Sequence, residues 1–148
     1  MNPKSLAFSL AAVTLVGFAL YTTYAPEVEG TRPINPRACE NTDYVLKFKN
    51  LDVAADIVPG RSDRMDAYFN PAEDGQISLM TLEVYKFKIK LHTIKSQTKL
   101  DFKKGELADY IYQVMLPKFI PHINVTIHMN WFDARGKLLS CVMFDLHL

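Results

Sequence analysis

VTIHMNWFDARGKLLSCVMFDLHL, residues 125–148, is the stretch whose reading decides the fold. In its first part Val125, Ile127, Met129 and Trp131 alternate with Thr126, His128 and Asn130. A period of two sets the apolar side chains on one face of a strand and the polar ones on the other. Asp133-Ala-Arg-Gly136 follows, with glycine where a left-handed residue is wanted, and Leu138 to Leu148 then reads as a second strand. A hairpin of two half-buried strands closes the chain.

The same period runs upstream. Tyr44, Leu46 and Phe48 oppose Lys47 and Lys49, and Val58-Pro59-Gly60 closes a second short apolar piece. Arg64 to Asn70 carries Met65, Ala67 and Phe69 on one face, and Pro71 to Gly75 is a turn with proline early and glycine late. Ile77 to Ile94 reads as one long strand. Its apolar parity changes at Val84-Tyr85, which predicts a bulge or a crossing between environments. Tyr110 to Met115 is a further strand. Lys103 to Asp109 has room for one helical turn, and Pro117 and Pro121 stop anything longer. Seven or eight short strands in about 110 residues predict an all-β, immunoglobulin-like sandwich of two antiparallel sheets. The tryptophan and cysteine spacing of antibody domains is absent, so the likeness is one of architecture.

Composition agrees with a single globular domain. Of 148 residues 49% are hydrophobic and 22% charged, which excludes a disordered chain. Lys plus Arg is 17 against 16 for Asp plus Glu, and that balance argues against nucleic acid, whose binding rests on cations at phosphates. The two cysteines, Cys39 and Cys141, are too few to staple a knottin-like fold, and with no CxxC pair there is no structural zinc site. The core must stand mainly on buried apolar surface.

Lys4 is the only charged residue before Glu27, and Leu6 to Leu20 is a mostly apolar run of signal-peptide length. Residues 1–25 are therefore expected to be a signal peptide, cleaved after Ala19 or Ala25; an uncleaved anchor over Leu6 to Ala25 is the competing reading. Cleavage removes Lys4 and leaves 16 cations against 16 anions. Residues 26–38, with three prolines and a glycine, predict an extended linker, and 39–148 the mature domain. Secretion would place both cysteines in an oxidising compartment.

Nothing in the chain converges on catalysis or on a cofactor. His92, His122, His128 and His147 lack metal-ligand spacing, and no GxSxG, Walker or dinucleotide motif occurs. Lys86, Lys88 and Lys90, with Lys95, Lys99, Lys103 and Lys104 beyond, read as a solvated basic strand face or as a patch for anionic headgroups. Asn124-Val-Thr126 is an N-glycosylation acceptor. Large apolar residues, among them Tyr112, Met115, Phe119, Met129, Trp131 and Phe144, serve either a solid core or the walls of a cavity for an aliphatic ligand.

The order of landmarks resembles the ML lipid-recognition family, which takes in Niemann-Pick type lysosomal cholesterol carriers, group two mite allergens and fungal phosphatidylglycerol/phosphatidylinositol transfer proteins. The matching pieces are Cys39 before the first strand, Val58-Pro59-Gly60, the stretch LMTLEVYKFKIKL, Lys103-Lys104-Gly105 and the closing block from Val125 to Cys141. The resemblance implies a secreted or endolysosomal sandwich that holds a sterol or phospholipid between its sheets and makes transient membrane contact, with no catalysis. It pairs Cys39 with Cys141. Many family members carry further disulfides that this chain lacks. Pocket walls are then expected from Val84, Phe87, Tyr112, Met129 and Trp131, with Lys103 and Lys104 at a headgroup rim. The rival is a secreted adhesion or receptor-binding module with a solid core and no lipid; an acceptor protein for the cargo is left undefined.

Overall fold

The computed structural model describes residues 31–39, 43–54 and 56–148. The expected signal or anchor segment, residues 1–25, and the first part of the expected linker lie outside the described residues. None of the described residues is helical, and none forms a helix long and apolar enough to cross a membrane. Nine strands follow one another: β1 (Thr31–Ile34), β2 (Arg37–Ala38), β3 (Leu46–Ala54), β4 (Ser62–Pro71), β5 (Gly75–Lys86), β6 (Ile89–Phe102), β7 (Ala108–Met115), β8 (Asn124–Phe132) and β9 (Leu138–His147). They form two antiparallel sheets, one in the order β1-β3-β4-β7 and the other β2-β9-β8-β5-β6. This is the immunoglobulin-like sandwich that the alternation predicted.

The inward set is the one the period picks out. Met65, Ala67 and Phe69 of β4 face Val125, Ile127, Met129 and Trp131 of β8, and all are buried. Phe69 meets Trp131 edge-on at 4.8 Å between ring centres, a favoured aromatic geometry that joins the two sheets. Leu46, Leu51 and Val53 of β3 and Met80, Leu82 and Val84 of β5 complete the core.

The structure corrects three expectations. Ile77 to Ile94 is two strands, β5 and β6, paired through Lys86 and Ile89 across the two-residue turn Phe87-Lys88. The parity change at Val84-Tyr85 is a real register shift, and the chain then turns back two residues later. Phe87 holds that turn at φ 56°, a left-handed conformation usually left to glycine, so the ordinary turn signal is missing from the sequence. The described part of the expected linker contributes strands: β1 pairs with β3 and β2 with β9, so among the described residues sheet pairing is already present at Thr31, ahead of Cys39. Pro33 is tolerated because β1 is an edge strand. The lysines also do not form one row. Lys88 is in the turn, Lys90 pairs with Glu83, and the Lys86 ammonium donates to the Asn124 carbonyl at 2.9 Å.

Asp66, on the β4 face opposite Met65, Ala67 and Phe69, is fully buried. The Arg64 Nε–H lies 3.1 Å from each of its carboxylate oxygens, which supplies the partner that a buried charge requires. Burial, with the Asp66 charge adding to it, raises the Asp109 carboxyl above its ordinary value.

Candidate functional site

The two edges of the sandwich are unequal. On one, β2 lies against β9 through only Arg37–Met143 and Ala38–Val142, and a Cys39–Cys141 disulfide follows at once, with Cα atoms 5.5 Å apart. The sheets come closest on this side, where β3 faces β9. On the other edge β6 and β7 end their respective sheets. There the inward side chains of β6, namely His92, Ile94, Ser96 and Leu100, are only half-buried, as is Tyr112 across from them on β7. Strand parity aims these groups between the sheets, but no further strand covers them.

The chemistry of this slot is amphipathic. Ile94 and Leu100 offer apolar wall, while His92, Ser96 and Tyr112 each carry a polar tip. Burial pushes the Tyr110 phenol up to about 12, with a smaller opposing pull from the Ser96 side chain across the gap. Burial alone raises Tyr112. Both phenols are therefore neutral hydrogen-bonding groups at ordinary pH.

The residues singled out from sequence do not all meet. Val84, Met129 and Trp131 lie fully buried on inward faces, and Tyr112 stands at the slot. Phe87, expected on an inward wall, is 84% exposed in the β5–β6 turn, because a turn residue belongs to neither strand face. Lys103 and Lys104 are exposed in the β6–β7 turn. Antiparallel order puts that turn at the far end of the sandwich from Phe87, so no single rim unites them. Asn124 is exposed at the start of β8, and its side-chain oxygen lies 2.7 Å from Nδ1 of His147.

Other residues gather at the Phe87 end that the sequence did not assign to a site. Ile89, Met115 and Phe119 are exposed there with Phe87. The loop bearing Phe119 is held on both sides: the His92 ring meets Phe119 edge-on at 5.7 Å, and the Gly60 N–H donates to the Leu116 carbonyl at 2.7 Å. Gly60 has φ +86°, and a Cβ there would stand 2.5 Å from Cγ of Lys118, so only glycine fits this packing. Lys86, Lys88 and Lys118 accompany the apolar groups, with the Lys86 ammonium 4.9 Å from the Phe87 ring centre. The available signal was Phe119 in a Pro117–Pro121 segment that can join neither a helix nor a central strand.

Cavities also lie away from the Phe87 end. A concavity of about 920 Å³ lies on the solvent face of the five-stranded sheet, lined by Gln76, Thr81, Gln97, Lys99 and Phe132 among others. It is open and rich in polar side chains, unlike the enclosed apolar spaces that take aliphatic ligands. A smaller cavity of about 280 Å³ lies between β3 and β9 beside the disulfide. On the outer face the Glu83 carboxylate accepts from Tyr85 at 2.9 Å and Asn130 at 3.2 Å and pairs with Lys90. Burial would raise Glu83, but the Lys90 and Tyr85 hydrogen bonds outweigh it and hold the carboxyl below its ordinary value. Burial lowers His128, against an opposing pull from Glu83.

Comparison with known proteins bears on which of these features belong together. A Niemann-Pick type C2 protein from the Japanese carpenter ant superposes with a TM-score of 0.57 at 14% identity, over 76% of this chain and 97% of that one. Spo0M, a sporulation control protein from Bacillus subtilis, gives 0.52 at 13% identity over 70% of this chain, which spans about half (49%) of the Spo0M chain. Identities this low establish the fold alone, and one fold serves many functions. No curated protein matches the chain in sequence. The ML domain profile, however, matches residues 34–148, from the end of β1 to the last residue and across both sheets and the disulfide. By that match the chain belongs to the ML domain family.

Proposed function

We propose that this protein binds a lipid, a sterol or a phospholipid, between its two sheets and carries it between membranes without chemical change. The observation that carries the reading is the ML domain match over 34–148 on a sandwich whose β6–β7 side stays half-open. An apolar body entering there leaves water for Ile94, Leu100 and the core beyond, gaining about 25 cal/mol per Å² buried. The polar tips of His92, Ser96 and Tyr112 can stay solvated at the mouth or meet a headgroup, whose burial without a partner would cost free energy.

Membrane contact belongs in this reading at the Phe87 end. Phe87, Ile89 and Phe119 have apolar surface to insert, and Lys86, Lys88 and Lys118 have charge for anionic headgroups. Residues 1–25 act as the secretory signal, and the mature domain works outside the cell or in an endolysosomal lumen, where Cys39–Cys141 stays oxidised.

Native mass spectrometry of protein purified from its own secretory source tests this. A bound lipid and an amino terminus near residue 20 or 26 are expected. An empty, full-length chain that also takes up neither fluorescent sterol nor fluorescent phospholipid would overturn the reading and leave the solid-core adhesion module.

A further inference from the structure

We propose that β7 is the pairing edge for a second copy of this chain, the two strands running antiparallel about a two-fold axis at Ile111. The inference stands apart from the lipid reading and does not need it. Among the described residues four strands end the two sheets, β1 and β7 in one and β2 and β6 in the other. Three of them are blunted in ways that keep an edge from pairing further. β1 is four residues long and contains Pro33, and β2 is two residues long. β6 carries the exposed Lys90, Lys95 and Lys99 and slips register with β5 at two places. β7 has none of these devices. Its eight residues, ADYIYQVM, hold no lysine, proline or glycine, and its register with β4 is unbroken from Ser62–Met115 to Phe69–Ala108.

The outer face of that edge is apolar. Leu107, just ahead of the strand, Ile111 and Met115 are 54%, 54% and 58% exposed, and strand parity sets them on one side with Asp109 and Gln113. Ile111 and Met115 stand opposite Asp66 and Ser62 of β4, so the strand beside them supplies polar partners. The order of residues in β7 then selects what covers the edge. Register partners share a face, so a two-fold axis can pass only through a residue and not between two. About Ile111 the outer pairs are Leu107 with Met115, Asp109 with Gln113, and Ile111 with itself; the inner pairs are Ala108 with Val114 and Tyr110 with Tyr112. Apolar meets apolar, aromatic meets aromatic, and the one carboxylate meets an amide that can donate to it. An axis at Asp109 would set that carboxylate against its own copy, and axes at Tyr110 or Tyr112 would set it against Ile111 or Met115. Such an interface is isologous and closes at two copies. The axis of an antiparallel strand pair is perpendicular to the sheet, so the half-open β6–β7 sides of the two copies face each other across it.

Sedimentation equilibrium of the purified chain over a concentration series, joined to oxidative cross-linking of single-cysteine variants, tests this. The mass is expected to rise from one copy to two. Ile111→Cys meets its own copy at about 4.5–5.5 Å between Cα atoms, within disulfide reach, and should cross-link. Gln113→Cys, on the same exposed face, is about 14 Å from its copy and should not. Ile111→Lys and Gln113→Asp set like charges opposite each other, and each should weaken the dimer about tenfold or more while the circular dichroism of the monomer holds. A chain that stays monomeric and gives no Ile111→Cys cross-link would overturn the proposal and leave the edge to a strand of another protein. A dimer that both charge variants leave intact, or that Gln113→Cys cross-links as readily as Ile111→Cys, would overturn it too.

Discussion

Along β3 and β9 the sandwich edge carries a disulfide within the five-stranded sheet and fully buried aliphatic side chains between the sheets, whereas along β6 and β7 the sheets are flanked by groups that are half apolar and half polar. His92, Ser96 and Tyr112 on the second edge can face either water or a guest without leaving a polar group unmet. The contrast shows how one small sandwich can be stable and receptive at once. Rigidity is concentrated on one edge, and tolerance is left on the other.

The largest effect that would break this contrast is removal of the staple. Cysteines 102 residues apart close a loop for which the chain-entropy model gives about 4.7 kcal/mol, so Cys141→Ser should lose up to that much in urea unfolding. A loss below about 1 kcal/mol would mean that non-covalent packing alone holds the closed edge.

Next come paired truncations. Leu46→Ala on the closed edge should cost about 2–5 kcal/mol, and Ile94→Ala on the half-open edge about half as much or less, since part of its surface is already wet. Equal losses in chemical denaturation would show the two edges to be packed alike. A smaller effect concerns the end rather than the edge. Phe87→Asp with Phe119→Asp should slow lipid transfer to phosphatidylserine-containing vesicles severalfold, with stability changed by no more than about 0.5 kcal/mol because both rings are exposed. Transfer at the parental rate would remove that end from the membrane step.

The smallest effect is in the response to acid. Glu83 and Asp145 have lowered carboxyl pKa values in the folded chain, so their stabilisation is present above the ordinary carboxylate range and is lost as pH falls through the folded values. His128 is lowered by burial, so protonation below about pH 6.5 also favours the unfolded chain. Melting temperature should therefore fall on acidification, and Glu83→Gln should flatten the fall at its carboxylate end. An unchanged slope would show that the Glu83–Lys90–Tyr85 cluster does not couple β5 to β6.

Much of the frame was legible because alternation is a local property. Met65, Ala67 and Phe69, like Val125 to Trp131, declare their inward face without any knowledge of the partner strand. The β5–β6 turn was not legible, because Phe87 takes a glycine-like conformation and Lys88 is no turn former. The burial of Asp66 was not legible, because it depends on Arg64 reaching two residues along the strand to pair with it. The half-open slot was hidden for a different reason. Strand parity says that His92 and Ser96 face inward, but only sheet order says that β6 is the last strand and leaves them uncovered.

The position of the disulfide also decides how the domain would meet mechanical load. Tension applied ahead of Thr31 would first peel β1 from β3 and then the two-residue β2 from β9, breaking a few hydrogen bonds one after another. At Cys39 the peeling stops, because the next link is a covalent bond into β9, which is paired along most of its length with β8. Force would then load β9 near one end of a long ladder, where many hydrogen bonds share it in shear. A tug on the amino terminus would thus be spent on the outermost strands, and the interior between the sheets would keep its shape.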